Sequence, residues 1–327
     1  MEIWGKVSQK VEIKKIRSAA PMIDVNDIKR FFRGHITLHE PLSKYTSFRI
    51  GGPADYYLEP ADKEDVVQII IFLEQRNIPF MVMGKGSNML VSDEGIRGAV
   101  INLEEGLNKI YIEEECVYVE AGMSISRFVD FCIQHGFKGV EMLPGIPGTV
   151  GGAIMMNAGA YGGEISDYLV EVEVLRKENI LTISKLESGF SYRRSGFQGD
   201  VILAAKFKLP LGDKGEVMSM RRELLMKRNR TQPVNFPNSG SMFKNPSGIY
   251  AAKLIEEAGL KGKWSGKAQI SEKHANFIVN HGNATAEDIL NLIELSRQSV
   301  MKMSGISLEL EVKLVGFNDD VYKQVYV

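Results

Sequence analysis

The chain has 327 residues, 44% hydrophobic and 25% charged, with a formal net charge of −1. That length holds about two domains, each with its own core, and the near-neutral balance argues against a dedicated nucleic-acid binder. No apolar run approaches the roughly 18 residues that span a bilayer, the N-terminus has no apolar signal core, and two cysteines are too few for a disulfide framework. The composition points to a reduced, cytoplasmic enzyme.

Residues 1–30 read as an appended segment with room for one helix. Ala54–Glu59 then reads as a strand, and Asp62 caps an apolar helix through about Glu74. Pro79–Met83 is a short buried strand that enters the turn Gly84-Lys85-Gly86-Ser87-Asn88, and Ala99–Leu103 is another strand. Lys109–Ile112 and Val117–Glu120 flank an acidic turn. Ser124 opens a helix whose Ile125, Phe128, Val129 and Cys132 follow helical spacing, which makes Cys132 a core residue. Leu169–Arg176, Ile180–Ser184 and Val201–Leu209 are further strands.

Leu211–Gly215 is punctuated like a domain boundary. Beyond it a helix runs from Glu216 to about Arg230, then a proline-rich loop through Pro246 and a short helix Ser247–Ala258. Asn276–Asn280 reads as a strand, Thr285 with Asp288 starts a helix to about Met303, and Leu308–Val315 alternates as a closing strand.

Seven glycines lie within the 22 residues from Met142 to Gly163. Glycine inside an element costs roughly 0.5–1 kcal/mol, so packing alone does not explain that density. It suits a backbone that approaches a ligand closely and turns N–H groups towards it, most often towards phosphate. With the turn Gly84–Asn88 upstream, the pattern points to one diphosphate ligand held between two lobes. Neither loop has the GxxxxGK[ST] spacing of a P-loop, nor the GxGxxG turn that opens a helix after a strand. The five histidines have neither HExxH spacing nor cysteine companions, so no metal is expected.

Taken together the segments are specific. TSFRIGGPA (Thr46–Ala54), GKGSNMLVSDEGIRGAVINL (Gly84–Leu103) and LPGIPGTVGGAIMMNAGAYGGE (Leu143–Glu164) come first. YRRSGF (Tyr192–Phe197), GSMFKNP (Gly240–Pro246), GKAQISEKHANFIVN (Gly266–Asn280) and LELEVKLVG (Leu308–Gly316) follow in order. The series resembles the UDP-N-acetylenolpyruvoylglucosamine reductase family over about Leu42–Gly316. The resemblance implies an α+β protein with an FAD-binding fold of the vanillyl-alcohol-oxidase (PCMH) type, in which two α/β subdomains enclose FAD. It also implies a C-terminal α+β substrate-binding lobe. The expected division is an extension at 1–30, an FAD-binding domain at 31–214 with its core at about 49–208, a substrate domain at 215–316 and a tail at 317–327. The span from Leu209 to Ser241 leaves little room for the tyrosine-bearing loop of some members, so the chain is similar to the subtype without it.

Reducing an enol ether needs hydride on one carbon and a proton on its neighbour, and no side chain supplies hydride. The resemblance supplies non-covalent FAD, reduced by NADPH, and a UDP-sugar substrate. It implies Ser241 as proton donor, Arg193 as the arginine that grips the substrate carboxylate, and Glu311 as the catalytic glutamate. Locally, Ser241 could be a turn serine, and Arg194 stands beside Arg193. Glu309 shares the alternating face with Glu311, so spacing alone does not separate the two. Arg49 is placed against the flavin. Gly84, Lys85, Gly86, Ser87 and Asn88, with Gly148, Thr149, Gly151 and Gly152, are placed on the diphosphate, and Asn157 and Gly159 near the isoalloxazine ring. Lys244, Asn245, Gln269, His274 and Arg228 are expected on the substrate side, His274 as a hydrogen-bonded structural histidine. Membrane and nucleic-acid partners are not expected. A monomer is the simplest state. Another flavoprotein of the superfamily, or a nucleotide-sugar-binding regulator without catalysis, would not need Arg193, Ser241 and Glu311 together.

Overall fold

The computed structural model describes residues 23–143 and 145–326. Its chain sorts into two compact units, each assembled from separated segments. Among the described residues, the first comprises 23–38, Tyr56–Lys85 and Gly98–Lys227; the second comprises His39–Asp55, Gly86–Arg97 and 228–326. Of the segment expected as an extension, residues 1–22 lie outside the described residues. Val25–Lys29 is a short helix, and Ile23 and Ile28 are buried in the core of the first unit.

That core is built from amphipathic elements. Asp62 caps the helix Lys63–Gln75 by accepting the Asp65 N–H at 3.0 Å, and Val66, Ile69, Ile70 and Leu73 form the buried face. Asp65 is itself buried, and it is stabilised by the N–H groups of Arg33 and Ala61 and by the Arg33 guanidinium. Ile125–Gln134 starts at the Ser124 cap and buries Ile125, Phe128, Val129 and Cys132, as its spacing predicts. Each such apolar side chain contributes roughly 1.5–3 kcal/mol, so Phe128→Ala should cost about 3–5 kcal/mol. Phe80–Met83 pairs in parallel with Ile96–Asn102, in a four-stranded sheet with His35–Pro41 and Pro53–Glu59. A five-stranded antiparallel sheet runs in the order Asn179–Ser184, Leu169–Arg176, Val201–Phe207, Cys116–Glu120, Ile110–Glu113. Its central strands bury Val172, Val174, Leu203 and Val119, whereas Ile180 and Leu181 of the edge strand stay exposed.

The second unit has its own core around Phe48, Leu90, Phe243, Ile289 and Leu310. Its long helix Ala286–Ser304 starts at the Thr285–Asp288 capping box and stops at Gly305 in the left-handed region. Asp93 supports the helix start by accepting the Ala286 N–H at 2.8 Å. A three-stranded antiparallel sheet joins Trp264–Ser265, Ala268–Ile270 and Ile278–Asn280.

Several predicted bounds shift. The expected helix Ser247–Ala258 begins only at Ala251, because Gly248 takes φ +77° and Asn245 Oδ1 accepts the Ala251 N–H. The alternating segment Leu308–Val315 is a strand only at Lys313–Val315, paired in parallel with Met89–Val91. Its inward–outward alternation nevertheless persists: Leu308, Leu310, Val312 and Leu314 are buried and Glu309 is exposed. Within the expected tail, Asp319–Tyr326 is a helix.

Candidate functional site

In the first unit the two glycine segments meet. A Cβ on Gly84 would lie 2.4 Å from Thr149 Oγ1, so the first loop packs onto the head of the helix Val150–Met155. Thr149 caps that helix by accepting the Gly152 N–H at 3.3 Å. The Val150 and Gly151 N–H groups donate to the carbonyls of Met123 and Ala121, both at 2.8 Å, and are engaged within the protein. Gly151 is glycine because a Cβ there would press on Ala121 at 2.8 Å. Gly152 differs: it is exposed, and a Cβ would meet only Thr149 Oγ1 at 3.4 Å. Among the described residues nothing requires glycine at that helical position, which fits a flat or anionic cofactor surface lying close against it. Gly148 donates no side chain either, and its carbonyl accepts the Ile125 N–H at 3.1 Å.

Lys85 continues the first loop and faces Glu104. Burial pushes the Glu104 carboxyl above its ordinary range, while the Lys85 ammonium holds it down. Asn102 Nδ2 reaches the Gly84 carbonyl at 3.3 Å.

Farther along the glycine-rich segment, Asn157 is completely buried at φ +44°. Its Nδ2 donates to Glu164 Oε2 at 2.6 Å and to the Ser191 carbonyl at 3.1 Å, while Oδ1 is buried without a partner. Gly159 pairs with Glu164 in a tight hairpin, and its carbonyl accepts Arg193 Nη2 at 2.9 Å. Arg193 is therefore turned inward and half-buried, whereas Arg194 is exposed. Tyr161, at the tip of the hairpin with φ +53°, donates to the Leu224 carbonyl at 3.3 Å, and the Lys227 ammonium sits 5.5 Å from its ring centre. Sequence reasoning did not single out Tyr161; an aromatic side chain among five neighbouring small residues was the available signal. The basic helix Lys214–Thr231 buries only Val217, and Arg222 and Arg230 on it are solvated. Arg228 is half-buried.

In the second unit, Gly86, Ser87 and Asn88 complete the first loop. Gly86 accepts the Ser47 N–H at 3.2 Å, and Asn88 Nδ2 donates to the Glu311 carbonyl at 3.0 Å. Arg49 is exposed at φ +56° in a turn pinned by the buried Thr46 hydroxyl, which donates to the Ile50 carbonyl at 2.8 Å. Asn280 Nδ2 secures the adjacent Phe48 carbonyl at 2.9 Å.

Ser241 follows Gly240, whose φ of +80° suits glycine, and an Asx turn in which Asn238 Oδ1 accepts the Gly240 N–H at 2.9 Å. The segment after Ser241 runs antiparallel to Glu309–Glu311: the Glu311 N–H donates to the Met242 carbonyl and the Lys244 N–H to the Glu309 carbonyl, both at 2.9 Å. Asn276 holds the other side of this segment through its main-chain and side-chain oxygens and its Nδ2. The two glutamates that spacing left equivalent are thus separated. Glu309 is exposed and pairs with Lys244 at 2.5 Å, while Glu311 is half-buried and its main chain is fastened next to Ser241.

Other residues expected on the substrate side have internal partners. Asn245 Oδ1 accepts the Ala251 N–H, and Gln269 accepts from His281 Nε2 at 2.8 Å. The His274 ring packs edge-on against Phe277, and burial lowers its pKa; its buried Nδ1 has no hydrogen-bond partner. Packing against Phe277 therefore holds one side of the ring, while its Nδ1 makes no hydrogen bond. Among the described residues no cluster of three His, Cys, Asp or Glu side chains could hold a metal ion, and no helix is long and apolar enough to cross a membrane.

A family model described as FAD binding domain matches residues 54–181, and the model for the C-terminal domain of UDP-N-acetylenolpyruvoylglucosamine reductase matches residues 232–315. The UDP-N-acetylenolpyruvoylglucosamine reductase of Chloroherpeton thalassium is 45% identical over 311 residues, covering 92% of this chain and 100% of its own length. Its counterpart in Caldanaerobacter subterraneus subsp. tengcongensis is 44% identical over 296 residues, covering 89% of this chain and 98% of its own. The crystal structure of UDP-N-acetylenolpyruvylglucosamine reductase from Thermus caldophilus superimposes with a TM-score of 0.76 at 35% identity, over 87% of this chain and all of that one.

Proposed function

The chain belongs to the UDP-N-acetylenolpyruvoylglucosamine reductase family, and on that premise we propose that it reduces UDP-N-acetylglucosamine enolpyruvate to UDP-N-acetylmuramate in peptidoglycan precursor synthesis, with NADPH as reductant. Its cofactor is FAD, which we take to be held without a covalent link. We assign FAD holding to residues 31–214 and substrate binding to 215–316, in a cytoplasmic monomer; the free thiols of Cys116 and Cys132 agree with a reducing compartment.

Bound FAD supplies the hydride chemistry that side chains lack. The protein manages the charge and the proton. Hydride delivered to the methylene carbon would leave negative charge on the neighbouring carbon and its carboxylate. The Arg193 guanidinium grips that carboxylate bidentately and stabilises the growing charge. The Ser241 hydroxyl donates a proton to the carbon; it is a weak acid in water, but the carbon is a strong base and placement is what the donor must provide. Glu311, whose N–H donates to the Met242 carbonyl next to Ser241, is our candidate for the catalytic glutamate. Arg228 is our candidate for the UDP diphosphate.

The observation that carries this reading is the linkage of Asn88 to Glu311 and of Glu311 to Met242, which ties a cofactor loop to both proposed reacting-end residues within one unit. The test is the visible absorbance of the purified protein, followed anaerobically. Flavin bands should bleach with NADPH and return on adding the enolpyruvyl substrate. Bands that stay bleached would leave a flavoprotein with a different electron acceptor.

A further inference from the structure

Arg193 sits in a turn held from outside as well as by its own main chain. The turn is closed by two main-chain bonds, from the Ser191 N–H to the Arg194 carbonyl and from the Arg194 N–H to the Ser191 carbonyl, both at 3.0 Å. Arg193 itself is left-handed at φ +55°. A bulky residue persists in that region only when its surroundings over-determine it. The surroundings here are the glycine-rich segment, which contributes from three alternate residues. The Met155 carbonyl accepts Ser195 Oγ at 2.9 Å, Asn157 Nδ2 donates to the Ser191 carbonyl at 3.1 Å, and the Gly159 carbonyl accepts Arg193 Nη2 at 2.9 Å.

Asn157 is the middle rung. Its backbone does a simple job: the Asn157 N–H donates to the Ile154 carbonyl at 3.1 Å and the Ala158 N–H to the Ala153 carbonyl at 2.8 Å. With φ +44° this is a Schellman stop for the helix Val150–Met155. Capping explains the backbone but not the side chain, since glycine takes the left-handed position at least as well. The amide is fully buried, and both of its donors are used on acceptors, Glu164 Oε2 and the Ser191 carbonyl. Two acceptors on one side fix which end is nitrogen. Glu164 in turn is held by its pairing with Gly159, the residue that receives the arginine.

We propose that Asn157 is a positioning residue for Arg193: its side-chain amide, directed by Glu164, holds the Ser191–Arg194 turn so that the guanidinium is presented to the substrate carboxylate. The inference rests on the assignment of Arg193 made above.

The test is a double-mutant cycle on the FAD-loaded enzyme, with Asn157→Gly, Arg193→Ala and the double variant. Asn157→Gly keeps the left-handed cap and removes only the amide. The readouts are kcat and KM for the enolpyruvyl substrate and the rate at which it reoxidises the reduced flavin. Asn157→Gly should lower kcat/KM about tenfold or more in the wild-type background, and by less than about twofold when Arg193 is already alanine. Glu164→Ala should show the same dependence on Arg193 with a smaller loss. A capping role alone, which glycine preserves, would leave both Tm and kcat/KM close to their starting values in either background. The proposal is overturned if Asn157→Gly turns over normally, loses the same factor in both backgrounds, or releases FAD. If Arg193→Ala is impaired while Asn157→Gly is not, only the positioning role falls. If Arg193→Ala itself turns over normally, the carboxylate assignment falls and takes the positioning role with it.

Discussion

Asn88 donates its side-chain amide to the main-chain carbonyl of Glu311 at 3.0 Å, across 223 residues of sequence. Two residues beyond Glu311, the Lys313 N–H returns a bond to the Asn88 carbonyl at 3.0 Å. The end of the first glycine loop is therefore registered against the segment that runs from Glu311 into the strand Lys313–Val315. Asn88→Ala removes one of these bonds and should cost about 1 kcal/mol, seen as a fall in Tm of about 2–4 °C. It should also lower the FAD content of the purified protein. Full FAD occupancy with an unchanged Tm would show that the bond carries no weight.

Ser241→Ala should leave the reduction of flavin by NADPH in place and slow its reoxidation by the enolpyruvyl substrate by about 10²-fold or more. Stopped-flow absorbance separates the two steps. Normal reoxidation would take the proton-donor role away from Ser241.

Glu309 and Glu311 should behave differently despite sharing one face of the alternating segment. Glu309→Gln breaks an exposed pair with Lys244, worth about 0–1 kcal/mol, and should leave turnover within about twofold. Glu311→Gln should lower kcat by about tenfold or more. The opposite ranking would move the catalytic role to the wrong side of the spacing argument.

Gly84→Ala places a methyl group 2.4 Å from Thr149 Oγ1. Thr149 cannot retreat without surrendering its cap, which is worth about 1 kcal/mol. The variant should lose FAD and stability together, measured as flavin-to-protein ratio and Tm. Adding Thr149→Ala should restore part of the loss, because the two residues occupy one space; additive losses would show that they do not.

Burial lowers the His274 pKa from its ordinary 6.5. Between the folded value and about pH 6.5, the unfolded chain binds a proton that the folded protein refuses. This contribution to stability is complete above about pH 6.5 and is lost as the pH falls towards the folded value. His274→Phe keeps the contact with Phe277 and removes the buried Nδ1 that lacks a partner. Its Tm should fall less than that of wild type between about pH 7 and 5, and parallel curves would rule the histidine out.

Local rules carried the sequence reading where one segment decides its own structure. The Asp62 and Ser124 caps, the Thr285–Asp288 box and the inward alternation of Leu308 to Leu314 all needed only short-range pattern. Ladder formation did not follow from that pattern, because the partner of Lys313–Val315 lies at Met89–Val91. Positions in the candidate site were legible only through resemblance, and their geometry less so. Spacing cannot tell Arg193 from Arg194, since the choice is made by the Gly159 carbonyl some thirty residues upstream. Nor can it show that Gly151 answers to Ala121 while Gly152 is crowded by nothing among the described residues. Glycine looks alike in both roles until its neighbours are known.

The parallel pairing of Met89–Val91 with Lys313–Val315 also orders events during synthesis. Strand 89–91 leaves the ribosome early and must wait for nearly the whole chain before its partner exists. Until then Asn88 has no Glu311 carbonyl to hold, and the loop it ends remains unfinished. A nascent chain stopped at Gly305 has translated every residue of the FAD-binding match at 54–181, yet lacks the strand that closes its first glycine loop. Completion of that loop is thereby deferred until residues 313–315 have been made.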